Sequence, residues 1–493
     1  MLVTCEQMSG AESRFFVSGV AAEPFMDEAG RRCAEAIPHF FPTPAAAEVF
    51  CGKGNNGGDA LVVARWLKRW GWNVTLHFAE GREGISALAA KKLVEFESET
   101  AGDSGVKPPG SGVIVIDGLL GIGAKGELRG GMLDMASRIN ALRRDSFATC
   151  FAIDIPSGLN ADTGVPGKGA VVADFTLSIT APKIGFASDE AIDQVGRLIE
   201  IPLDIPVTEG DTSRRFLFPS NLRPRVKRRP FDTHKGAAGR VTIVAGSRGF
   251  TGAAVLCALG ASRSGAGLVT VCVPESIYGI VASHCPAEVM VKPISDFDEI
   301  ARLQTDAFAI GPGLGGDFVP GILDFIYNDA RPVVVDADAL NALAGDPVRL
   351  PSLPENRLLT PHPGEMERLT GTAKLGDRSA LARAVADEWG ITLLYKGART
   401  IVASPGKPLE FNTTGHPGMA SGGMGDVLSG ICASLIAQGL SIHDAACVGS
   451  WVLGRAAELV VTRGQIASES ISAPLVAEYL GAAIRELQTP GSP

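Results

Sequence analysis

Short apolar runs that end in a carboxylate or a glycine loop, each leading into a helix-patterned segment, recur along this chain and narrow its possible folds. Val113-Ile114-Val115-Ile116-Asp117 is one such run, and Pro332-Val333-Val334-Val335-Asp336 is another. A strand that is apolar on both faces has to be covered on both faces. That is the condition of a parallel sheet held between two helical layers. Similar runs occupy residues 150–155, 175–180, 240–245, 268–273, 307–310, 392–396 and 400–403, with further strands ending at Phe50 and over 73–78. Apolar residues at helical spacing predict helices over 6–17, 23–37, 58–70, 251–264, 425–437, 442–461 and 473–487.

At 493 residues the chain exceeds a single ordinary core. The alternation breaks over residues 211–230, where Arg223-Pro224-Arg225 and Arg228-Arg229-Pro230 accumulate without periodicity, which reads as a linker. The expectation is therefore α/β: two tandem three-layer αβα domains, 1–210 and 231–493, the first of them Rossmann-like. A net charge of −9 without a basic stripe argues against a nucleic-acid surface. No run of about 18 apolar residues predicts a membrane span, and the N-terminus lacks the regions of a secretory signal. Nine cysteines, scattered singly, read as reduced thiols of a cytoplasmic protein. Cys51, beside a glycine loop, is read as buried filler in preference to a reactive thiol.

That loop, Gly52-Lys53-Gly54-Asn55-Asn56-Gly57-Gly58-Asp59, follows a strand and opens a helix. Its G-x-G-x-x-G spacing, with Glu80 ending the next strand, permits an NAD-dependent oxidoreductase. Two later segments favour a different reading. Asp117-Gly118-Leu119-Leu120-Gly121 and Asp154-Ile155-Pro156-Ser157-Gly158 place carboxylates at the ends of successive strands. In an open α/β sheet such loops converge at the carboxyl edge, where ligands bind. Asn56, Asp117 and Ser157 then offer only hard oxygens, suited to an alkali or alkaline-earth cation. Each Asp alone is as well explained by a turn or a helix cap; the three loops together are the stronger signal.

With the Thr4-x-Glu6-Gln7-Met8 opening, residues 2–206 resemble the NAD(P)H-hydrate epimerase family. The resemblance implies K+ near Asn56, Asp117 and Ser157. It implies hydrate binding by Asn55, Asn56, Gly57, Gly58 and Asp59, by Gly121, Ile122, Gly123, Ala124, Lys125, Gly126 and Glu127, and by Asp154, with Lys183 nearby. Asp154 is the candidate acid–base residue. The chain departs from the family at Asp27, where a Glu is usual, and at Glu28, where Asn is usual.

The second half carries Gly249-Phe250-Thr251-Gly252-Ala253, Gly311-Pro312-Gly313-Leu314-Gly315, Pro361-His362-Pro363-Gly364-Glu365, Lys396-Gly397-Ala398-Arg399-Thr400 and Ser421-Gly422-Gly423-Met424-Gly425-Asp426. Glycines followed by Asp at a helix start form an anion hole of amides beside a carboxylate base, as phosphoryl transfer to a hydroxyl requires. In isolation Asp426 is only a helix-start acid; as a base it is expected to be ionised, because the helix end favours negative charge. The other four loops weigh against that reading. A Walker A loop is absent. Residues 234–487 resemble the ribokinase-like superfamily and, more closely, the NAD(P)H-hydrate dehydratase family. The resemblance implies a ribokinase-like fold, hydrate binding by Ala253, Gly313, His362 and Asp426, and nucleotide binding by Lys396, Gly397, Ala398, Arg399, Thr400 and Gly425. It implies Asp426 as the catalytic base, and Mg2+ with ADP. An oxidoreductase leaves this half unexplained, and a sugar or vitamin kinase leaves the first half unexplained. The implied partners are the hydrates of NADH and NADPH with ADP, not nucleic acid or membrane, and a homo-oligomer stays open.

Overall fold

A computed structural model describes residues 1–102, 112–123, 126–315, 319–372 and 376–489. The chain divides into two compact units, residues 1–214 and 215–492.

The first unit holds β1 (Ala46–Cys51), β2 (Asn73–Phe78), β3 (Val113–Gly118), β4 (Thr149–Ile153), β5 (Phe175–Ile179) and β6 (Arg197–Ile201). They form one sheet in the order β2-β1-β3-β4-β5-β6, with every pair parallel. Period-two alternation divides its side chains between two cores. Val49, Ile114, Ile116, Phe151 and Ile153 pack with the helices Ala22–Ala36 and Asn55–Arg69. Phe50, Val115, Cys150 and Ala152 pack with Met132, Ala136 and Ile139 of the helix Gly130–Asp145. The result is the expected three-layer sandwich. Strand order reverses at β1, so the crevice outside the carboxyl ends of β1 and β3 is the natural ligand site. The two departures from the family pattern lie on the helix Ala22–Ala36. Asp27 accepts from the buried Lys92 ammonium at 2.9 Å, and Glu28 pairs with Arg31 and Arg32.

The second unit is built on β7 (Arg214–Leu217), β8 (Arg240–Val244), β9 (Leu268–Pro274), β10 (Met290–Ile294), β11 (Ala307–Ile310), β12 (Val333–Val335), β13 (Arg357–Leu359), β14 (Thr392–Tyr395), β15 (Ile401–Ala403) and β16 (Leu409–Asn412). The ten strands run β10-β9-β8-β11-β12-β13-β14-β15-β16-β7, parallel from β10 to β14 and antiparallel from β14 to β16. One face packs on the helices Thr251–Arg263, Met424–Ala437, Ile442–Gly464 and Ala473–Gln488. The first two of these touch almost backbone to backbone: a Cβ on Gly430 would stand 2.0 Å from the Cys257 carbonyl oxygen. Helix Ile442–Gly464 is long and apolar enough to cross a membrane, but it is largely buried inside this unit. Its Arg455 pairs there with Glu458 and Glu486. Here too strand order reverses, between β8 and β11, and opens a crevice at their carboxyl ends.

Residues 211–230 are not the expected linker. Asp211 bridges to Leu2 in the first unit, residues from Arg214 form β7 beside β16, and Arg225 reaches into the second core. Its guanidinium grips Glu410 with two hydrogen bonds of 2.6 and 2.7 Å, and His443 and Cys447 add further bonds to the same carboxylate. Although burial opposes ionisation, these partners hold Glu410 well below the usual carboxylate range. Arg225→Ala would leave a buried carboxylate without its cation, and is expected to destabilise the second domain by about 3–5 kcal/mol. The depressed Glu410 contributes stability above the unfolded carboxylate pKa and loses it as pH falls. Urea denaturation of the variant should therefore show both a lower midpoint and a flattened acid dependence. An unchanged midpoint would return the segment to linker status.

Candidate functional site

In the first domain four loops meet at the carboxyl edge of successive strands. The loop after β1 closes on itself: a Cβ on Gly57 would sit 2.0 Å from the Gly52 carbonyl oxygen, so only glycine fits. The following helix, Asn55–Arg69, exposes Asn55, buries Asn56 and Gly57–Gly58, and leaves Asp59 partly exposed. Asn56 donates to the Leu120 carbonyl at 2.9 Å, while the Leu120 amide donates to Ser157 Oγ at 3.0 Å. Ser157 in turn donates its hydroxyl to Asp117 at 2.7 Å and its amide to the other carboxylate oxygen at 2.8 Å. Asn56, Asp117 and Ser157, expected to share one site, are thus joined in one hydrogen-bonded chain. Burial pushes Asp117 up to about 6, against the hydrogen bonds from Ser157 and Leu119. Among the described residues no ion pair reaches this fully buried carboxylate. A hard cation fits that donor set.

Asp154 and Lys183 lie beside this chain. Asp154 follows β4 with φ at +61°, and Thr180 follows β5 with φ at +62°. In each case a three-residue turn closes, Ile155 N to Ile153 O at 2.7 Å and Ala181 N to Ile179 O at 2.8 Å. Left-handed backbone at non-glycine residues is costly and clusters at functional sites. It aims the Asp154 carboxylate at the buried Lys183 ammonium, 2.5 Å away, which also donates to the Ala181 carbonyl at 3.1 Å.

The first helix, Cys5–Val17, reaches the same place because Val3 pairs with Lys183 and Cys5 N donates to Asp162. Its Met8 and Ala11 pack with Ala181, and Ile122 of the loop after β3 packs against them. Glu12 on this helix was not a sequence candidate. Burial first, and then the nearby Asp154 charge, push it up to about 7. Asp59 is raised too, by burial and by Asp154 and Glu12. Of the remaining loop, Gly121 faces Asn56, Gly123, Gly126 and Glu127 are exposed, and Ala124 and Lys125 lie outside the described residues. Glu80 pairs with Lys53 at 3.3 Å, so the ribose-binding acid of the oxidoreductase reading is engaged within the loop. Cys51 is buried and its thiol is pushed up to about 12, as filler should be.

In the second domain the crevice loops are knitted together. Gly246 N donates to Pro312 O at 2.8 Å and Ser247 Oγ to Gly313 O at 2.9 Å. A Cβ on Gly313 would meet the Ala253 side chain at 2.8 Å, so these two expected contacts are neighbours. Lys396 directly follows β14, its amide bonded to Pro361 O at 2.8 Å. Its ammonium lies 2.8 Å from Asp336 and 3.6 Å from Glu365. Burial disfavours the charge on Lys396, but Asp336 and Glu365 outweigh it and hold its pKa above the ordinary value. Gly425 stands over this group, since a Cβ there would be 3.3 Å from the Lys396 ammonium. Half-exposed His362 caps the helix Pro363–Thr370, accepting the Glu365 amide while Glu365 accepts the His362 amide. Thr400 bonds back to Gly397 O, and Arg399 turns inward over the Phe216 ring. The Arg399 side chain is buried there, 4% exposed.

Asp426 lies in the first turn of the helix Met424–Ala437, which follows Gly423, whose φ is +90°. The expectation of a plainly ionised helix-start acid is corrected. Burial, and then the Asp336 charge, push Asp426 up to about 7, against the pull of Lys396. Desolvation and a like charge outweigh the helix end here.

Both halves match known families. Residues 22–185 match the model described as YjeF-related protein N-terminus, and residues 241–478 the model for NAD(P)H-hydrate dehydratase. The bifunctional NAD(P)H-hydrate repair enzyme of Moorella thermoacetica is 37% identical, covering 94% of this chain and 93% of its own. That of Escherichia coli K12 is 35% identical over 92% and 89%. A ribokinase-like superfamily protein of Enterococcus faecalis V583 superimposes with a TM-score of 0.50 at 25% identity, covering 57% of this chain and 98% of its own. On this near full-length identity, the chain belongs to the family of bifunctional NAD(P)H-hydrate repair enzymes.

Proposed function

We propose that the first domain interconverts the R and S hydrates of NADH and NADPH, and that the second dehydrates the S hydrate at the expense of ADP, releasing AMP and phosphate. The observation that carries this reading is the presence of two separate crevices. Each lies at a reversal of strand order, and each holds buried carboxylates beside a lysine ammonium.

In the first crevice the substrate carbon bears a hydroxyl beside a ring nitrogen. Inverting it requires the hydroxyl to leave and return, or the ring to open, with proton transfer in either case. Asp154 accepts or returns that proton, and Lys183 holds its carboxylate in place. Asn56, Asp117 and Ser157 hold K+, whose charge fixes the loops after β1, β3 and β4. The fully buried Asp117, which no ion pair among the described residues reaches, supports this assignment.

In the second crevice Ala253, Gly313 and His362 line the hydrate, and Lys396–Gly397 with Gly425 receive the nucleotide phosphates. Asp426 removes the hydroxyl proton as its oxygen takes the terminal phosphoryl group of ADP. Loss of phosphate from that carbon and of a proton from the adjacent ring carbon then restores the dihydronicotinamide ring. Mg2+ would neutralise the charge of the diphosphate. Nine unpaired cysteines suit a reducing cytoplasm.

The test follows the absorbance of reduced nicotinamide after mixed NADH hydrate epimers meet the protein, ADP, Mg2+ and K+. Full recovery is expected, with only the S fraction recovered when the first domain is inactivated. No recovery, or recovery without nucleotide, would overturn the reading.

A further inference from the structure

Asp336 was read from the sequence only as the end of a strand. In the fold it is 1% exposed and stands at the centre of the second crevice. One carboxylate oxygen accepts the Lys396 ammonium at 2.8 Å, and the other accepts the Ser429 hydroxyl at 2.7 Å. These partners come from different elements. Lys396 follows β14, and Ser429 lies on the helix Met424–Ala437, less than one turn beyond Asp426. A Cβ on Gly425 would lie 3.7 Å from the carboxylate oxygen that accepts the Ser429 hydroxyl.

The backbone around Asp336 is bent to deliver it there. Ala337 has φ +51° and ψ −115°, a conformation that L side chains rarely adopt. Asp336 N bonds to Ile310 O at 3.1 Å, and its own carbonyl accepts from Ala339 N at 3.1 Å. The strained residue turns the chain so that Asp336 faces Lys396 while Asp338 accepts the Gly315 amide of the neighbouring glycine loop at 2.9 Å. Strain of this kind persists where surrounding contacts over-determine it, and it clusters at functional sites.

We propose that Asp336 is a positioning residue of the dehydration centre: by gripping the Lys396 ammonium and the Ser429 hydroxyl together, it fixes the strand end that meets the nucleotide against the helix start that carries Asp426. This rests on the reading of Asp426 as the base. A buried carboxylate bonded to a charged donor and a hydroxyl is a rigid joint, since leaving either partner unmade is penalised in a poorly solvated site. The same carboxylate acts on Asp426 through its charge. Among the described residues, the charges that act on Asp426 are those of Asp336, Lys396 and Asp338. The Cys257 thiol faces it from the helix Thr251–Arg263 and is kept neutral by burial. Of these, Asp336 is the strongest influence raising the basicity of Asp426.

The experiment compares full-length parent, Asp336→Asn and Asp426→Asn with pure S hydrate of NADH, ADP and Mg2+, recording kcat and the acid limb of kcat/KM against pH. Asp336→Asn is expected to lower kcat by about tenfold or more through misplacement of the reacting groups. Its acid limb should also move down by about one pH unit, because Asp426 loses a like charge and keeps Lys396. A rate loss with the limb unmoved would mark a merely structural residue and overturn the proposal, as would parental rate and limb. Should Asp336→Asn fail to fold, Ser429→Ala decides. It keeps every charge and removes only the hydroxyl, so a several-fold loss of kcat with the parental limb is expected, and parental kcat overturns the proposal. Undiminished dehydration by Asp426→Asn would instead defeat the base assignment itself.

Discussion

Asp426→Asn is expected to lower ADP-dependent dehydration of the S hydrate by about 10²–10⁴-fold, the usual contribution of a general base. Epimerisation by the first domain should be untouched. The substitution nearly preserves volume, and Gly423–Gly425 still turn the chain into the helix Met424–Ala437. Nucleotide affinity should therefore stay close to that of the parent. In the parent the base form predominates only above about 7, so dehydration should rise with pH through neutrality. Stability is expected to move the other way from activity. A carboxylate whose folded pKa is raised destabilises the native state at every pH above its unfolded value. Replacing it with a neutral amide relieves that penalty, so thermal unfolding of the second domain should shift upward in the inactive variant. Dehydration within a few-fold of the parent, or a marked loss of stability, would contradict this picture of Asp426.

The glycine loops and the carboxylates at strand ends were legible in the sequence because both obey local rules. A parallel strand buried on both faces writes itself as an apolar run, and a ligand loop at its carboxyl end writes itself in Gly, Asp and Asn. What stayed hidden obeys long-range rules. Strand β13 is three residues long and begins with Arg357, which is fully buried because its guanidinium donates to the carbonyls of Ile326, Asp329 and Arg331. Strand β10 contains Lys292 and Pro293, tolerable because it is the edge of the sheet.

The linker assignment failed for the same reason. Arg225 reads as solvated until Glu410, far along the chain, is known to face it. Site residues divide in the same way. Asp336 is legible only as the carboxylate of a strand end and Glu12 not at all, and only tertiary packing brings them to Lys396 and to Asp154. Glu12 had one available signal: a charge one turn beyond Met8, on the apolar stripe of an otherwise amphipathic helix.

Asp154→Asn is expected to depress epimerisation by about 10²–10⁴-fold while leaving dehydration of the pure S hydrate intact. Interpretation needs care because Asp154 is also half of a buried ion pair with Lys183. Removing the carboxylate leaves an ammonium that is 0% exposed, with only the Ile179 and Ala181 carbonyls to accept from it among the described residues. That loss alone is expected to destabilise the first domain by about 3–5 kcal/mol. The double variant Asp154→Asn with Lys183→Met separates the two effects. Methionine fills the volume without a charge, so the double variant should recover most of the stability of the first domain and none of the epimerisation. Chemical denaturation followed by epimerisation assays under folding conditions would read both quantities. If activity returns with stability, Asp154 serves only to neutralise Lys183, and the proton must be handled by the carboxyls of Glu12 or Asp59. If it does not, Asp154 itself meets the substrate, and the left-handed turn that aims it at the crevice is there for that purpose.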